Sequence, residues 1–111
     1  SDITDITDLD ADKPGEFVFF GKLKEKNLRD MNETVNLAKR GGRKVDRNNL
    51  WLNMTFEDDT GPIICTIDRF RYNKLGKPIV EEGRIGDWYL IKGTIKKGFR
   101  KIYLDKWRKL A

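Results

Sequence analysis

Residues 51–70 read WLNMTFEDDTGPIICTIDRF, and residues 86–107 read GDWYLIKGTIKKGFRKIYLDKW. Each has the outline of a β-hairpin: an alternating run, a turn containing glycine, and a second alternating run. In the first, Leu50, Leu52, Met54 and Phe56 point one way, while Trp51, Asn53 and Thr55 point the other. Residues 57–61 make the turn. Ile63, Cys65 and Ile67 then return on the apolar face, with Ile64 and Thr66 opposite. In the second hairpin, residues 87–96 put Tyr89, Ile91, Gly93 and Ile95 on one face. Lys97-Gly98 supports the turn, and residues 100–107 come back with Ile102 and Leu104 inward and Tyr103 and Asp105 outward. Basic and aromatic residues therefore gather on the face that cannot be core.

Upstream, residues 16–26, EFVFFGKLKEK, form a first strand with Phe17, Phe19 and Leu23 on one face and Val18, Phe20, Lys22 and Lys24 on the other. Its interior Gly21 predicts a bulge or bend of the kind that curls a small barrel. Residues 27–49 are a long connection that includes AKRGGRKVDRNN, with residues 34–38 as a brief hairpin arm. A connection this long in a small domain is usually functional or disordered. Residues 68–80 read as a short helix or an irregular crossover, with Phe70 and Leu75 plugging the barrel bottom. Trp107 and Leu110 close the end. Residues 1–14, SDITDITDLDADKP, lack a helical period and stop at Pro14-Gly15, which predicts an acidic flexible tail or linker before a domain spanning 15–111, with folding back on the basic body, in competition with a nucleic acid, as the alternative. Five strands, a long first connection, a crossover between the third and fourth, and a closing hairpin predict an all-β chain. The expected architecture is a five-stranded OB-fold Greek-key barrel with a short helix between strands three and four.

A chain of 111 residues is one domain and can bury a core without disulfides or metal. The single cysteine, Cys65, has no internal disulfide partner and reads as a buried, reduced thiol in a strand, which fits a cytosolic compartment. No apolar run approaches the roughly 20 residues of a membrane span, and an acidic start is not a signal or transit peptide. The expected location is the cytoplasm of a bacterial or phage-infected cell, or the nucleus of a eukaryote; no membrane partner is expected. The net charge of +5 is unevenly spread. Residues 1–14 hold five Asp and one Lys, and residues 15–111 carry 22 basic against 13 acidic residues, a net of +9. A body this basic suits a nucleic-acid partner.

An OB-fold typically binds single strands across its second and third strands, between its first and fourth loops. Single strands need cations along the phosphates and rings on which bases stack. Trp51 is the foremost stacking candidate, and Asn53 and Thr55 share its face. Arg40, Arg43, Lys44 and Arg47 in the long loop suit phosphate contacts. Lys96, Lys97, Phe99 and Arg100 at the last hairpin tip place one ring among cations. Lys22, Lys24, Lys92 and Tyr103 are secondary candidates on outward faces. Arg69, Arg71 and Tyr72 in the crossover either extend this groove or cover the barrel end. Glu57, Asp58 and Asp59 would suit a hard cation, but in a tight turn Asp is favoured for local hydrogen bonding. The chain has no His and one Cys, so the usual neutral-pH base and a zinc ligand set are both lacking. Gly41-Gly42 lacks the spacing of a Walker loop. The expectation is a non-catalytic module with no metal and no cofactor, monomeric when isolated.

The runs MTFEDDTGPIICTI (54–67), EEGRIGDWYLIKGTI (81–95) and KIYLDKW (101–107) resemble the OB-fold of bacterial replicative DNA polymerase III alpha subunits. The matching positions are Phe56, Asp58 and Gly61, then Gly83, Leu90, Ile91 and Gly93, and the likeness covers about residues 16–110. The same pattern recurs in other nucleic-acid-binding OB modules, including the anticodon-binding domains of aminoacyl-tRNA synthetases. The resemblance implies a module that binds single-stranded DNA, or RNA, within or beside a replication or repair enzyme and its other domains or subunits. A protein-docking OB domain and a tRNA-binding appendage are the alternatives.

Overall fold

The computed structural model describes residues 2–10, 12–30, 49–96 and 102–110. Five strands are present: β1 (Gly15–Asp30), β2 (Leu50–Asp58), β3 (Gly61–Ile67), β4 (Trp88–Ile95) and β5 (Ile102–Lys109). They close into a barrel in the order β1-β2-β3-β5-β4, with β4 returning to β1. β3 and β5 pair in parallel, and the other neighbours are antiparallel. This is the closed five-stranded Greek key that the hairpin pattern predicts.

Period-two alternation decides which side chains enter the barrel. Phe19, Leu23, Leu52, Met54, Phe56, Ile67 and Ile91 are fully buried. Phe19, Phe56, Tyr89 and Trp107 meet edge to face in a chain, with ring centroids 6.2, 5.8 and 5.6 Å apart. Each such pair contributes about 0.5–1.5 kcal/mol beyond the area it buries. Cys65 is buried as expected, and burial pushes its thiol pKa up.

β1 bends in two ways. Gly21 faces inward, where an added Cβ would lie 2.8 Å from the Cβ of Phe56, so the glycine serves close packing of β1 on β2. The bulge itself comes later, between Leu23 and Glu25. It reverses the alternation, so Glu25, Asn27 and Arg29 face outward beside Thr55, Asn53 and Trp51. Lys26 turns the other way, and its Nζ donates to the carbonyls of Gly83 (2.7 Å) and Val80 (3.3 Å).

The crossover is a π-helical turn, Tyr72–Gly76, running into a short helix, α1 (Lys77–Glu82). It departs from expectation at Phe70, which is 81% exposed and plugs nothing. The end of the barrel is filled instead by Tyr72, Leu75, Gly76 and Ile79, one face at spacings of three and four. Phe70 precedes that face in a turn where the amide of Arg71 donates to Asp68 Oδ1 (3.0 Å). Leu75 does pack on the core, and Trp107 Nε1 donates to its carbonyl at 2.9 Å.

The acidic N-terminal segment, expected to be a flexible tail, is docked. Ile3 bridges to Val18, the Thr4 amide donates to the Val18 carbonyl (2.7 Å), and Ile6 is 3% exposed within a 3-10 turn, Ile6–Asp8. The turn is latched to the β2–β3 hairpin. The Ile6 amide donates to Asp58 Oδ2 (2.9 Å) and the Thr7 amide to the Thr60 hydroxyl (3.0 Å). The other oxygen of Asp58 accepts from the Thr60 amide (2.7 Å), the Thr60 hydroxyl (2.5 Å) and the Gly61 amide (3.2 Å). Partial burial works to raise the Asp58 pKa, but these hydrogen bonds outweigh it and hold the carboxyl below its ordinary value. That carboxylate is a structural latch, in line with the hydrogen-bonding reading of the turn.

Candidate nucleic-acid interface

The pleat and the register build the interface. Trp51, Asn53 and Thr55 project outward from β2 because Leu52, Met54 and Phe56 fill the barrel. Trp51 is half-buried and sits opposite Arg29, which the bulge in β1 brings to this face. Asn53 pairs with Thr66 of β3, and the Thr66 hydroxyl donates to Asn53 Oδ1 at 2.8 Å. Thr66 is the register partner of Tyr103 on β5, and Tyr103 is the partner of Thr94 on β4. One register-matched row therefore crosses four strands: Asn53, Thr66, Tyr103, Thr94. Thr66, expected outward, is buried at 4% exposed and braces Asn53, so the half-buried Asn53, Tyr103 and Thr94 are the surface groups of the row. Trp51 stands at one end of it, and Tyr103 lies inside it. Lys96 joins at the rim, its Nζ 5.1 Å from the centre of the Tyr103 ring. Fixed rings, amides and hydroxyls on a strand surface can stack and hydrogen-bond bases with little reorganisation.

The other candidates lie elsewhere. Lys22 and Lys24 project from β1 toward Glu57, at 3.8 and 3.3 Å from Oε1, and Lys22 Nζ is 5.9 Å from the centre of the Trp88 ring. Their charge is partly spent on that carboxylate and lies away from Trp51. Lys92 faces outward from β4, 3.6 Å from Glu16 Oε2. Arg40, Arg43, Lys44 and Arg47, with the hairpin arm at 34–38, lie outside the described residues, as do Lys97, Phe99 and Arg100. Arg71 is bound to Asp105 at 2.5 Å, Arg69 Nη1 is 3.4 Å from Asn49 Oδ1, and Tyr72 is buried. Of this crossover trio, Tyr72 covers the barrel end, while both arginines stay on the surface.

Two outward groups are not evident from the sequence pattern. Arg29 reaches Trp51 through a bulge placed differently from the one Gly21 predicts. Ile64, outward as the alternation predicts, is 59% exposed opposite Thr55. Phe70 carries the Arg69 guanidinium 4.6 Å from its ring centre. A signal for Phe70 does exist: Arg69 and Arg71 flank it, and an aromatic between two cations in a turn is more at home on the surface.

No known protein family and no curated protein matches this chain. Solved structures do. The second OB-fold domain of replication protein A from Methanococcus maripaludis superposes with a TM-score of 0.55 at 16% identity, covering 97% of this chain and 94% of that one. The chain is an OB-fold domain. A replication protein A heterotrimer bound to ssDNA superposes with a TM-score of 0.50 at 16% identity over 87% of this chain. This chain spans 58% of that chain's length. At such identity the likeness is one of fold, and it shows no particular kinship with DNA polymerase III alpha subunits.

Proposed function

We propose that this OB-fold domain is a non-catalytic module that binds single-stranded DNA in replication or repair. The observation that carries the reading is the row of Trp51, Asn53 and Tyr103 on the barrel surface, with Asn53 braced by the buried Thr66 and all held on strand backbone by a closed core. It lies on the second and third strands, where OB-folds receive oligonucleotides, and the basic body supplies the counter-charge. The two solved structures named above come from replication protein A, one of them bound to ssDNA. The likeness of residues 54–67 and 81–95 to polymerase III alpha subunits supports a place within or beside a replication enzyme, with the isolated domain a monomer.

The test is a titration of the whole chain with single-stranded DNA, RNA of the same sequence, and duplex DNA at low and physiological salt. The reading expects single-stranded DNA to bind most tightly and to weaken steeply with salt. Equal or tighter RNA binding would move the module to the RNA-binding class. No binding of any strand at low salt would remove the reading.

A further inference from the structure

The row continues past Tyr103. Between β4, β5 and the crossover lies a cleft of about 550 Å3, whose lining includes Lys74, Leu75, Lys92, Lys96, Tyr103 and Lys106. Sites that hold small organic ligands run from about 300 to 1,000 Å3. Three carboxylates share the lining, and all are engaged. Asp105 is held by Arg71 at 2.5 Å and by the Thr94 hydroxyl, Glu16 meets Lys92 at 3.6 Å, and Asp68 Oδ1 accepts the Arg71 amide at 3.0 Å. Among the described residues, neither Lys74 nor Lys106 has a carboxylate partner.

The placement of Lys106 is costly. It directly faces Lys92 across the β4–β5 ladder, and like charges opposite each other destabilise a sheet. The register that creates this pair comes from a bulge: Lys92 pairs with Lys106, and Gly93 pairs with Leu104, leaving Asp105 as the extra residue. Bulges are over-represented beside functional sites, where they re-aim side chains. Here the bulge turns Asp105 toward Arg71 and Thr94 and brings two lysines together in the cleft. Glu16 offsets part of the Lys92 charge at 3.6 Å, and an anion between the two lysines would relieve the repulsion that remains.

We propose that this cleft is a second subsite for the same single strand. A phosphodiester sits among Lys92, Lys106 and Lys74. Its base stacks on Tyr103, and the Lys96 ammonium passes from that ring to the neighbouring phosphate. The strand then wraps from β2 and β3 across β5 onto β4 instead of leaving the barrel at β3. This rests on the single-strand reading above.

Oligothymidylates of about four and about twelve nucleotides, within the range of site sizes for single OB-folds, separate the two subsites. The binding of each is measured against salt for the wild type and for Lys74→Ala/Lys106→Ala. A control, Lys77→Ala/Lys109→Ala, removes equal charge from outside the cleft, where both lysines pair with carboxylates. The cleft variant is expected to bind the long strand about 10-fold more weakly at low salt, with a salt slope shallower by about 1.4, two phosphates at about 0.7 each. Its affinity for the short strand is expected to match wild type. An equal loss on both lengths, no loss on either, or the same length effect in the control would overturn the subsite while leaving the single-strand reading intact. A wild type that binds neither strand overturns both.

Discussion

Trp51→Ala separates stacking from charge. The indole stands on the outside of β2, half-buried, while Leu52 and Leu50 turn inward. Its loss therefore removes a ring from the interface without opening a cavity in the barrel. A base stacked on an aromatic side chain contributes about 1–3 kcal/mol, so binding of a short oligothymidylate should weaken roughly 5- to 150-fold. Stacking releases no counterions. In a plot of log K against log salt, the variant line should thus lie below wild type by about 0.7–2 log units and run parallel to it. Removing a phosphate-bound lysine should instead flatten the line by about 0.7. Fluorescence anisotropy with a labelled oligonucleotide, read at four or so salt concentrations, distinguishes the two. Trp51→Phe keeps a flat ring and should recover part of the loss. Wild-type affinity in Trp51→Ala, or a loss that appears only as a change of slope, would refute the stacking role. The outward position of the ring predicts a thermal midpoint close to wild type, so a change in binding reports on the interface and not on unfolding.

Asp58 makes the docking of the N-terminal segment sensitive to acid. Its folded pKa lies below the ordinary 3.8, so its contribution is complete above that value and is lost as pH falls through the folded pKa. The protection of the Ile6 amide from hydrogen exchange, relative to its intrinsic rate at the same pH, should fall below about pH 4, and Asp58→Asn should lose less stability than wild type between neutral and acid pH. Gly21→Ala should destabilise the domain by about 1–3 kcal/mol in urea unfolding, because its Cβ would meet Phe56 at 2.8 Å. The Cys65 thiol, buried and with a raised pKa, should resist alkylation in the native chain and react once unfolded; rapid native labelling would contradict the inward register of β3.

The hairpins were legible because a closed barrel imposes period two on its strands, and the inward residues of 50–56, 63–67, 89–95 and 102–104 each recur at every second position. The crossover was half legible. Tyr72, Leu75, Gly76 and Ile79 carry a helical period, but the large apolar Phe70 two positions earlier drew attention from it. For the N-terminal segment, charge suggested a fold-back only as the alternative, and the docking site on the β2–β3 hairpin was not legible. The segment's apolar residues recur every third position as Ile3, Ile6 and Leu9, which matches neither strand nor α-helix. Its anchor is also Asp58, 52 residues away. The interface divides in the same way. Trp51, Asn53 and Thr55 follow from alternation alone. Arg29 beside Trp51, and Lys106 beside Lys92, each depend on a bulge that shifts the register by one residue, and bulges leave no dependable trace in a single sequence.

The two bulges also constrain how the proposed site would work. A loop can present charge, but it holds a ring or an amide only loosely; a strand packed on a filled core holds both to the precision of the core itself. The groups that would meet bases, Trp51, Asn53 and Tyr103, all stand on strands whose alternate residues are buried. The basic residues at 40–47 and 97–101 lie in the connections that the sequence assigns to loops, where contact with phosphates requires charge and reach more than fixed orientation. Affinity in such a design would be tuned through the loops and would respond to salt. The spacing of bases along the barrel would be set by the register of β2, β3 and β5. Substitutions that move the Asp105 bulge should therefore alter the length of strand bound, while substitutions among the loop cations alter only how tightly it is held.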